Sequence, residues 1–402
     1  MTLINTKTPI FCLSSQDWDD NLWTNKQHLM LRLSRKGNPV LYVCRKSQPF
    51  LTFLLQKPAT HQPLFNGKGV TPLSDTLSLF QSPEIPLSGL LKSSLNYDRF
   101  GRKLARLCEH IIHARNTTGE IPIIWVYDPG YGHYLDLLPK PYFLIYDCVD
   151  DYASFPVNAN DRYQHHWIQA SEKKVLAAAD LVTTTAQKLF DDKRQYNANT
   201  HYVHNVGDFD HFNRVMTTVF SEPLPMQAIP HPRIGFFGAV SSYKLDIPLL
   251  ENLALKNPHF HYCLLGPLDR HEKNSYSTLE SLPNVHFLGK IAYEDLPSYI
   301  QYLDVLMIPY AINTHTSHVF PIKFFEYLAT GKPVVVTPLP AYDAYVTHVE
   351  RASDAESFFK KIEALLSTPD TQQSARLALA KQHDWESRLS KILTLISQSK
   401  MY

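Results

Sequence analysis

Residues 321–336 read PIKFFEYLATGKPVVV. Pro321 suits the first turn of a helix, Phe324, Phe325, Leu328 and Ala329 supply its packing side, and Gly331 ends it before the β-branched run Val334, Val335, Val336. The pattern predicts a short helix running straight into a buried strand. Lys323 and Glu326 lie three residues apart and so share one helix face. The start of such a helix offers unbonded N–H groups and a positive dipole end to an anion, while a carboxylate one turn deeper can accept both hydroxyls of a ribose. Together these groups can hold a nucleoside diphosphate; the plain alternative is an ordinary amphipathic helix of an α/β domain.

The same helix-strand alternation extends through most of the chain. Strands are expected at PIFCLS (9–14), PVLYVC (39–44), IPIIWVY (121–127), YFLIYD (142–147), LVTTTA (181–186) and HYVHNV (201–206). A second series begins at RIGFFGA (233–239) and continues with FHYCLLGP (260–267), VHFLGKI (285–291), VLMIPY (305–310) and PVVVTP (333–338). Helix-length segments such as LWTNKQHLMLRLSRKG (22–37) lie between them, which is the βαβ rhythm of parallel sheets covered on both faces. Residues 45–98, rich in Pro, Ser and Gln, break the rhythm and read as a loop-rich excursion.

At 402 residues the chain is too long for one ordinary core and suits two domains. The proline-rich SEPLPMQAIPHPR (221–233) suits a linker, which places the boundary near residue 228 and gives domains of 1–227 and 228–402. Two closing helices are expected, from Asp354 to Ser367 and from about 372 to 397. Net charge is +1, so no whole-molecule field argues for nucleic acid, and partners must be sought locally. Cys12, Cys44, Cys108, Cys148 and Cys263 lack CxxC spacing and read as small apolar residues of a reducing compartment. No run of about 18 apolar residues and no tripartite N-terminal leader is visible, so the expectation is a soluble, cytoplasmic protein.

PIKFFEYLATGKPVVV resembles the nucleotide-sugar site of GT-B glycosyltransferases, specifically the retaining family 4 type in its branch carrying P-x-K-x-x-E-Y-L-A-x-G-K-P-V-V. Supporting matches are SSQDWDDNLW (14–23), the segment YFLIYDCVDDYASF (142–155), and ASEKKVLAAADLVTTT (170–185). HNVGDFDHF (204–212) resembles the N-G-V-D-x-x-x-F segment that closes the first domain in this family, with Val206 and Gly207 exchanged. The resemblance implies two Rossmann-like domains facing across a cleft, the first holding an acceptor and the second a nucleotide-diphosphate sugar, with the last helix crossing back to the first domain. It implies sugar transfer with retention to a glycan, lipid-linked or other glycoconjugate acceptor, in bacterial surface polysaccharide synthesis. The donor is a substrate, so no cofactor and no metal are expected. A nucleotide-sugar epimerase and a non-catalytic sugar-nucleotide or glycan-binding scaffold are the alternative classes.

The resemblance assigns Glu326 to the ribose, and Lys244, six residues after Gly238 in GAVSSYKLD (238–246), to the donor's diphosphate, beside Lys323 at the helix start. The family's usual arginine after the glycine is Ala239 here, and the first of its paired glutamates is His318. Hydroxyls of Ser241, Ser242, Thr316 and Ser317 can donate to phosphate in compensation, or Thr316 and Ser317 can serve as helix caps. His315 and His318 at three-residue spacing, without a carboxylate or cysteine beside them, do not define a metal site. On the acceptor side the candidates are Asp147, Asp150 and Asp151, with Asp150 preferred, and His133 in YDPGYGHYLD (127–136). Strand-end aspartates also cap helices, so a structural role stands beside the catalytic one. Finally, the segment from Arg99 to Arg115, with Arg102, Lys103 and Arg106 beside Leu104, Leu107, Ile111 and Ile112, can rest on an anionic inner-membrane surface or simply pack one face and solvate the other.

Overall fold

The alternating apolar runs become fourteen strands in two sheets in a computed structural model that describes residues 5–19, 23–46, 70–83, 101–114, 119–159, 161–269, 276–317 and 319–399. The first sheet contains β1 (Ile10–Ser14), β2 (Val40–Lys46), β3 (Val70–Pro72), β4 (Leu77–Pro83), β5 (Ile123–Val126), β6 (Phe143–Cys148), β7 (Leu181–Thr184) and β8 (Thr200–Tyr202). Their spatial order is β3-β4-β2-β1-β5-β6-β7-β8, and only the β3–β4 pair is antiparallel. β3 and β4 lie within the stretch expected to be loop: β4 pairs in parallel with β2 from Val40↔Leu77 onward. Its short LSLF stretch, followed by Gln, Ser and Pro, has too little apolar length to stand out locally, and the β2 edge supplies the missing stabilisation.

The second sheet contains β9 (Arg233–Phe237), β10 (His261–Leu265), β11 (Val285–Gly289), β12 (Val305–Ile308), β13 (Val334–Val336) and β14 (Glu350–Arg351), in the order β11-β10-β9-β12-β13-β14 and parallel throughout. Parallel strands require crossovers, and the crossover helices bury both faces. Accordingly β5, β6, β9, β12 and β13 are buried along their whole length.

The chain forms two compact units, residues Met1–Val203 with Leu389–Tyr402, and His204–Arg388. The expected boundary near residue 228 thus lies earlier in the chain. Phe212, Val215 and Met226 explain the difference, because all three are buried in the second unit's core. Within that unit the Gly207 N–H bonds the His383 carbonyl, and the buried Arg388 guanidinium donates to the His204 carbonyl at 2.8 Å. The single closing helix expected over 372–397 is two, Gln373–Gln382 and Trp385–Gln398, and the latter enters the first unit at Leu389.

All five cysteines are free and buried. Burial pushes the Cys44 thiol up to about 12, so it carries no thiolate at neutral pH. Among the described residues no helix is long and apolar enough to cross a membrane. In the helix Arg102–Ala114, Leu104 and Cys108 enter the first unit's core while Leu107, Ile111 and Ile112 pack against it. Arg99 and Arg115 lie outside the described residues.

Candidate active site

In each sheet the strand order reverses once among central strands, between β1 and β5 in the first unit and between β9 and β12 in the second. Loops leaving the carboxyl ends of such strand pairs diverge to opposite faces and open a crevice, the usual ligand position in open α/β sheets. Gly238 and Lys244 follow β9, Thr316 and Ser317 follow β12, His133 follows β5, and Asp150 and Asp151 follow β6.

In the second unit β9 ends at Phe237, followed by Gly238 at φ +136°. A Cβ at residue 238 would lie 1.8 Å from Lys323 Cε and 2.5 Å from its Nζ. The ammonium of Lys323 therefore rests directly on the turn after β9. Tyr327 fixes the helix Lys323–Ala329 in this position: its hydroxyl accepts from the Phe237 N–H at 2.8 Å and donates to the Phe237 carbonyl at 3.1 Å. From the other side Gly207 packs on the helix backbone, where a Cβ would lie 2.7 Å from the Glu326 nitrogen. Thr330 and Gly331, the latter at φ +72°, then end the helix as the sequence indicates.

Glu326 is 6% exposed. Burial pushes its carboxyl up to about 8; Lys323 opposes the rise and Asp208 adds to it. Burial lowers the Lys323 ammonium, with Glu326 and Tyr243 opposing. Tyr293 donates to Asp208 Oδ2 at 3.2 Å and stacks on His211 with ring centroids 4.1 Å apart. This arrangement places a buried carboxyl, which can accept hydroxyl hydrogen bonds, beside an ammonium lying at a glycine turn.

Lys244 is half-buried; its carbonyl accepts from Ala311 N–H at 2.8 Å, and Leu245 bridges Tyr310 at the end of β12. Its ammonium lies 5.4 Å from the Tyr243 ring centroid. Burial raises the phenol of Tyr310, which also feels Lys244 and Glu326, so these two charges share one neighbourhood. Thr316 has a different position. Its buried hydroxyl donates to Ala311 and accepts from the Asn313 N–H, while its own N–H bonds Asn313 Oδ1. That side chain closes the loop, which is the capping alternative. Ser317 continues the turn through its N–H to Asn313. Ser241 is buried with its hydroxyl 3.5 Å from Asp269 Oδ2, and the Ser242 N–H is taken by the Tyr276 hydroxyl. His318 and the side chain of His315 lie outside the described residues, among which no group of three or more His, Cys, Asp and Glu is arranged for a metal.

In the first unit the acidic segment ends β6, but its members divide. Asp147 is fully buried within the sheet and accepts from the Thr183 hydroxyl of β7 at 2.9 Å. Asp151 precedes the 3-10 turn Tyr152–Ser154, where its carbonyl accepts from the Ser154 N–H and hydroxyl. Asp150 is half-buried. His133 lies in the 3-10 helix Pro129–Leu137 with its ring 4.3 Å from that of Trp167 and its Nε2 3.4 Å from the Trp167 carbonyl, a packing role against the helix Arg162–Ala178.

Several participants escaped sequence reasoning. Tyr327 and Asp208 lie inside the quoted motifs without an assigned role, and Tyr293 lies outside them; each matters through a partner distant in sequence. Lys26 and Asp128 belong to the same class in the first unit. Lys26 sits in the first turn of the helix Asn25–Arg35, and Asp128 follows β5.

Residues 231–368 match the family Glycosyl transferases group 1. The chain is 28% identical over 323 residues to TuaH of Bacillus subtilis (strain 168), described as a teichuronic acid biosynthesis glycosyltransferase, covering 73% of this chain and 78% of that protein. Its fold is similar to sucrose-phosphate synthase from Thermosynechococcus elongatus, with a TM-score of 0.66 at 16% identity over 98% of this chain and 99% of that one. Anabaena HepE, solved in complex with UDP and glucose, aligns with a TM-score of 0.62 at 17% identity over 97% of this chain and 99% of that one. Two Rossmann-like units of this topology define the GT-B fold. The chain is a glycosyltransferase with the GT-B fold, and the group 1 match lies in its second unit.

Proposed function

We propose that the second unit binds the nucleoside diphosphate of a sugar donor and that the first unit holds the acceptor, a glycan or lipid-linked glycan of a bacterial surface polysaccharide. The observation that carries this reading is the Lys323–Gly238 contact, with Glu326 buried one turn deeper on the same helix. Lys323 and Lys244 neutralise the diphosphate, and Glu326 accepts the ribose hydroxyls. Support also comes from the group 1 match over this region and from HepE, whose structure holds UDP and glucose.

In this reading the leaving diphosphate gathers negative charge as the glycosidic bond breaks, so cations fixed at Gly238 and Lys244 favour the transition state over the ground state. The departing phosphate can take the acceptor's proton, which yields transfer with retention and requires no separate protein base. Asp150 orients the acceptor hydroxyl. Asp147, Asp151, Thr316 and His133 support the framework around these groups.

The test is a panel of nucleoside diphosphate sugars, beginning with UDP-glucose, incubated with and without glycoside acceptors while released nucleoside diphosphate is measured. Acceptor-dependent release, with a mass-shifted product, is the expected result. Interconversion of the sugar nucleotide alone points to an epimerase, and absence of turnover with intact nucleotide binding points to a scaffold; either overturns the proposal.

A further inference from the structure

At the carboxyl ends of β1, β5 and β6 the first unit holds a lysine that no sequence signal marks. Lys26 is 5% exposed, and among the described residues no hydrogen bond or ion pair engages its ammonium. Its nitrogen lies 5.7 Å from the centroid of the Tyr127 ring, which ends the β5 run. The Tyr127 hydroxyl in turn reaches the Asn25 carbonyl at 3.5 Å, tying the helix start to β5. Burial lowers the proton affinity of the Lys26 ammonium, and Asp150, Cys12, Asp147 and Asp128 stand around it.

A buried cation without a hydrogen-bond acceptor costs stability, and the usual resolution is an acceptor atom supplied by a ligand. Among these carboxylates Asp147 accepts from the Thr183 hydroxyl and Asp128 from the Gly130 N–H at 2.8 Å. Asp150 is half-buried. Burial raises the Cys12 thiol well above its ordinary value, so Cys12 contributes no charge. Among the described residues three carboxylates stand around one ammonium, which disfavours a uronate or phosphate and favours alcohol groups that both donate and accept.

We propose that Lys26 is a substrate-binding residue of the first unit, its ammonium donating to an oxygen of an uncharged acceptor sugar whose adjacent hydroxyl donates to Asp150. This rests on the reading that the first unit takes the acceptor. Lysine and aspartate then grip two neighbouring oxygens of one sugar, which fixes the hydroxyl to be glycosylated.

Saturation-transfer NMR with methyl glucoside, methyl galactoside, methyl N-acetylglucosaminide and methyl glucuronide on the full chain tests this, using wild type, Lys26→Met and Lys26→Arg. UDP calorimetry on each variant reports separately on the second unit. The expected result is binding of a neutral glycoside to wild type, weaker binding of the glucuronide, and loss of about tenfold or more in Lys26→Met with UDP affinity unchanged. Equal glycoside binding by Lys26→Met overturns the proposal. So does binding of UDP but of no glycoside by wild type, or preference for the glucuronide. Failure to bind UDP sinks the donor reading alone, since the glycoside arm still decides Lys26. Should Lys26→Met fail to fold, reductive methylation of wild type with and without the neutral glycosides reads the ammonium directly. Protection of Lys26 by a glycoside supports the assignment, and unchanged labelling overturns it.

Discussion

The side chain of Lys323 occupies the space that a Cβ on residue 238 would need, 1.8 Å from its Cε. Gly238 is thus required twice, for its φ of +136° and for the room it leaves the ammonium. A fixed cation at the carboxyl end of β9 follows from a missing methyl group.

Gly238→Ala is expected to cost about 1–3 kcal/mol of stability and to displace the Lys323 ammonium. UDP affinity should fall while uridine affinity changes little, because phosphate contacts are lost and base and ribose contacts are kept. Calorimetry with the two ligands checks this, and an equal loss for both would reject Lys323 as a phosphate group.

Glu326 sets a pH dependence whose sign can be worked out. Its folded value near 8 lies above the ordinary value of 4.5, so between these the folded protein holds a proton that the unfolded chain has released. The stability contributed by this group is full below about 4.5 and declines as pH rises to about 8. The stability of Glu326→Gln relative to wild type should therefore increase across this window in denaturant unfolding. Uridine, which has no titrating phosphate, should bind wild type more tightly as pH approaches 8, by up to about tenfold per unit. Glu326→Gln should be flat, and Glu326→Ala should lose about 1.5–3 kcal/mol of uridine affinity near pH 8. A pH-independent wild type would place the carboxylate outside the ribose contact.

Lys244→Met should weaken UDP by about 1.5–3 kcal/mol, the range for hydrogen bonds to charged groups, with the fold intact. Competition between UDP and uridine in one titration separates this from a general loosening of the pocket. If both ligands weaken together, Lys244 shapes the turn before Leu245 and does not meet phosphate.

Asp150→Asn should reduce acceptor-dependent transfer strongly while UDP affinity stays within about twofold, since the affected contact belongs to the acceptor. Normal transfer by the folded variant would withdraw Asp150. The parallel Asp147→Asn variant is expected to lose stability instead, because Asp147 is buried and holds the Thr183 hydroxyl.

A further stability test lies behind β6. Lys193 and Glu172 pair at 2.8 Å, both buried, and Tyr146 donates to Glu172 at 2.7 Å. Burial pulls the Lys193 ammonium down, yet Cys148 and Glu172 outweigh it and leave the group raised. Lys193→Met leaves Glu172 buried and uncompensated and should cost about 3–5 kcal/mol in urea unfolding. Adding Glu172→Gln should recover part of that loss; no recovery would mean that packing, and not charge, accounts for it.

The sequence by itself determined the parallel α/β character of both units, most strand positions, and the helix-to-strand step at residues 323–336. Each of these rests on local periodicity and turn chemistry: the valine run of β13, the Gly331 stop, the apolar FLIYDC of β6. Tertiary structure decided the rest. β4 exists because β2 offers an edge, Thr316 closes a loop with Asn313, and His133 packs on Trp167. The pairs Gly238–Lys323 and Gly207–Glu326, and the grouping of Lys26 with Asp150, join positions far apart in the chain. Charge and steric terms act through space, whereas periodicity acts along the chain, so only folding could reveal which lysine meets which carboxylate.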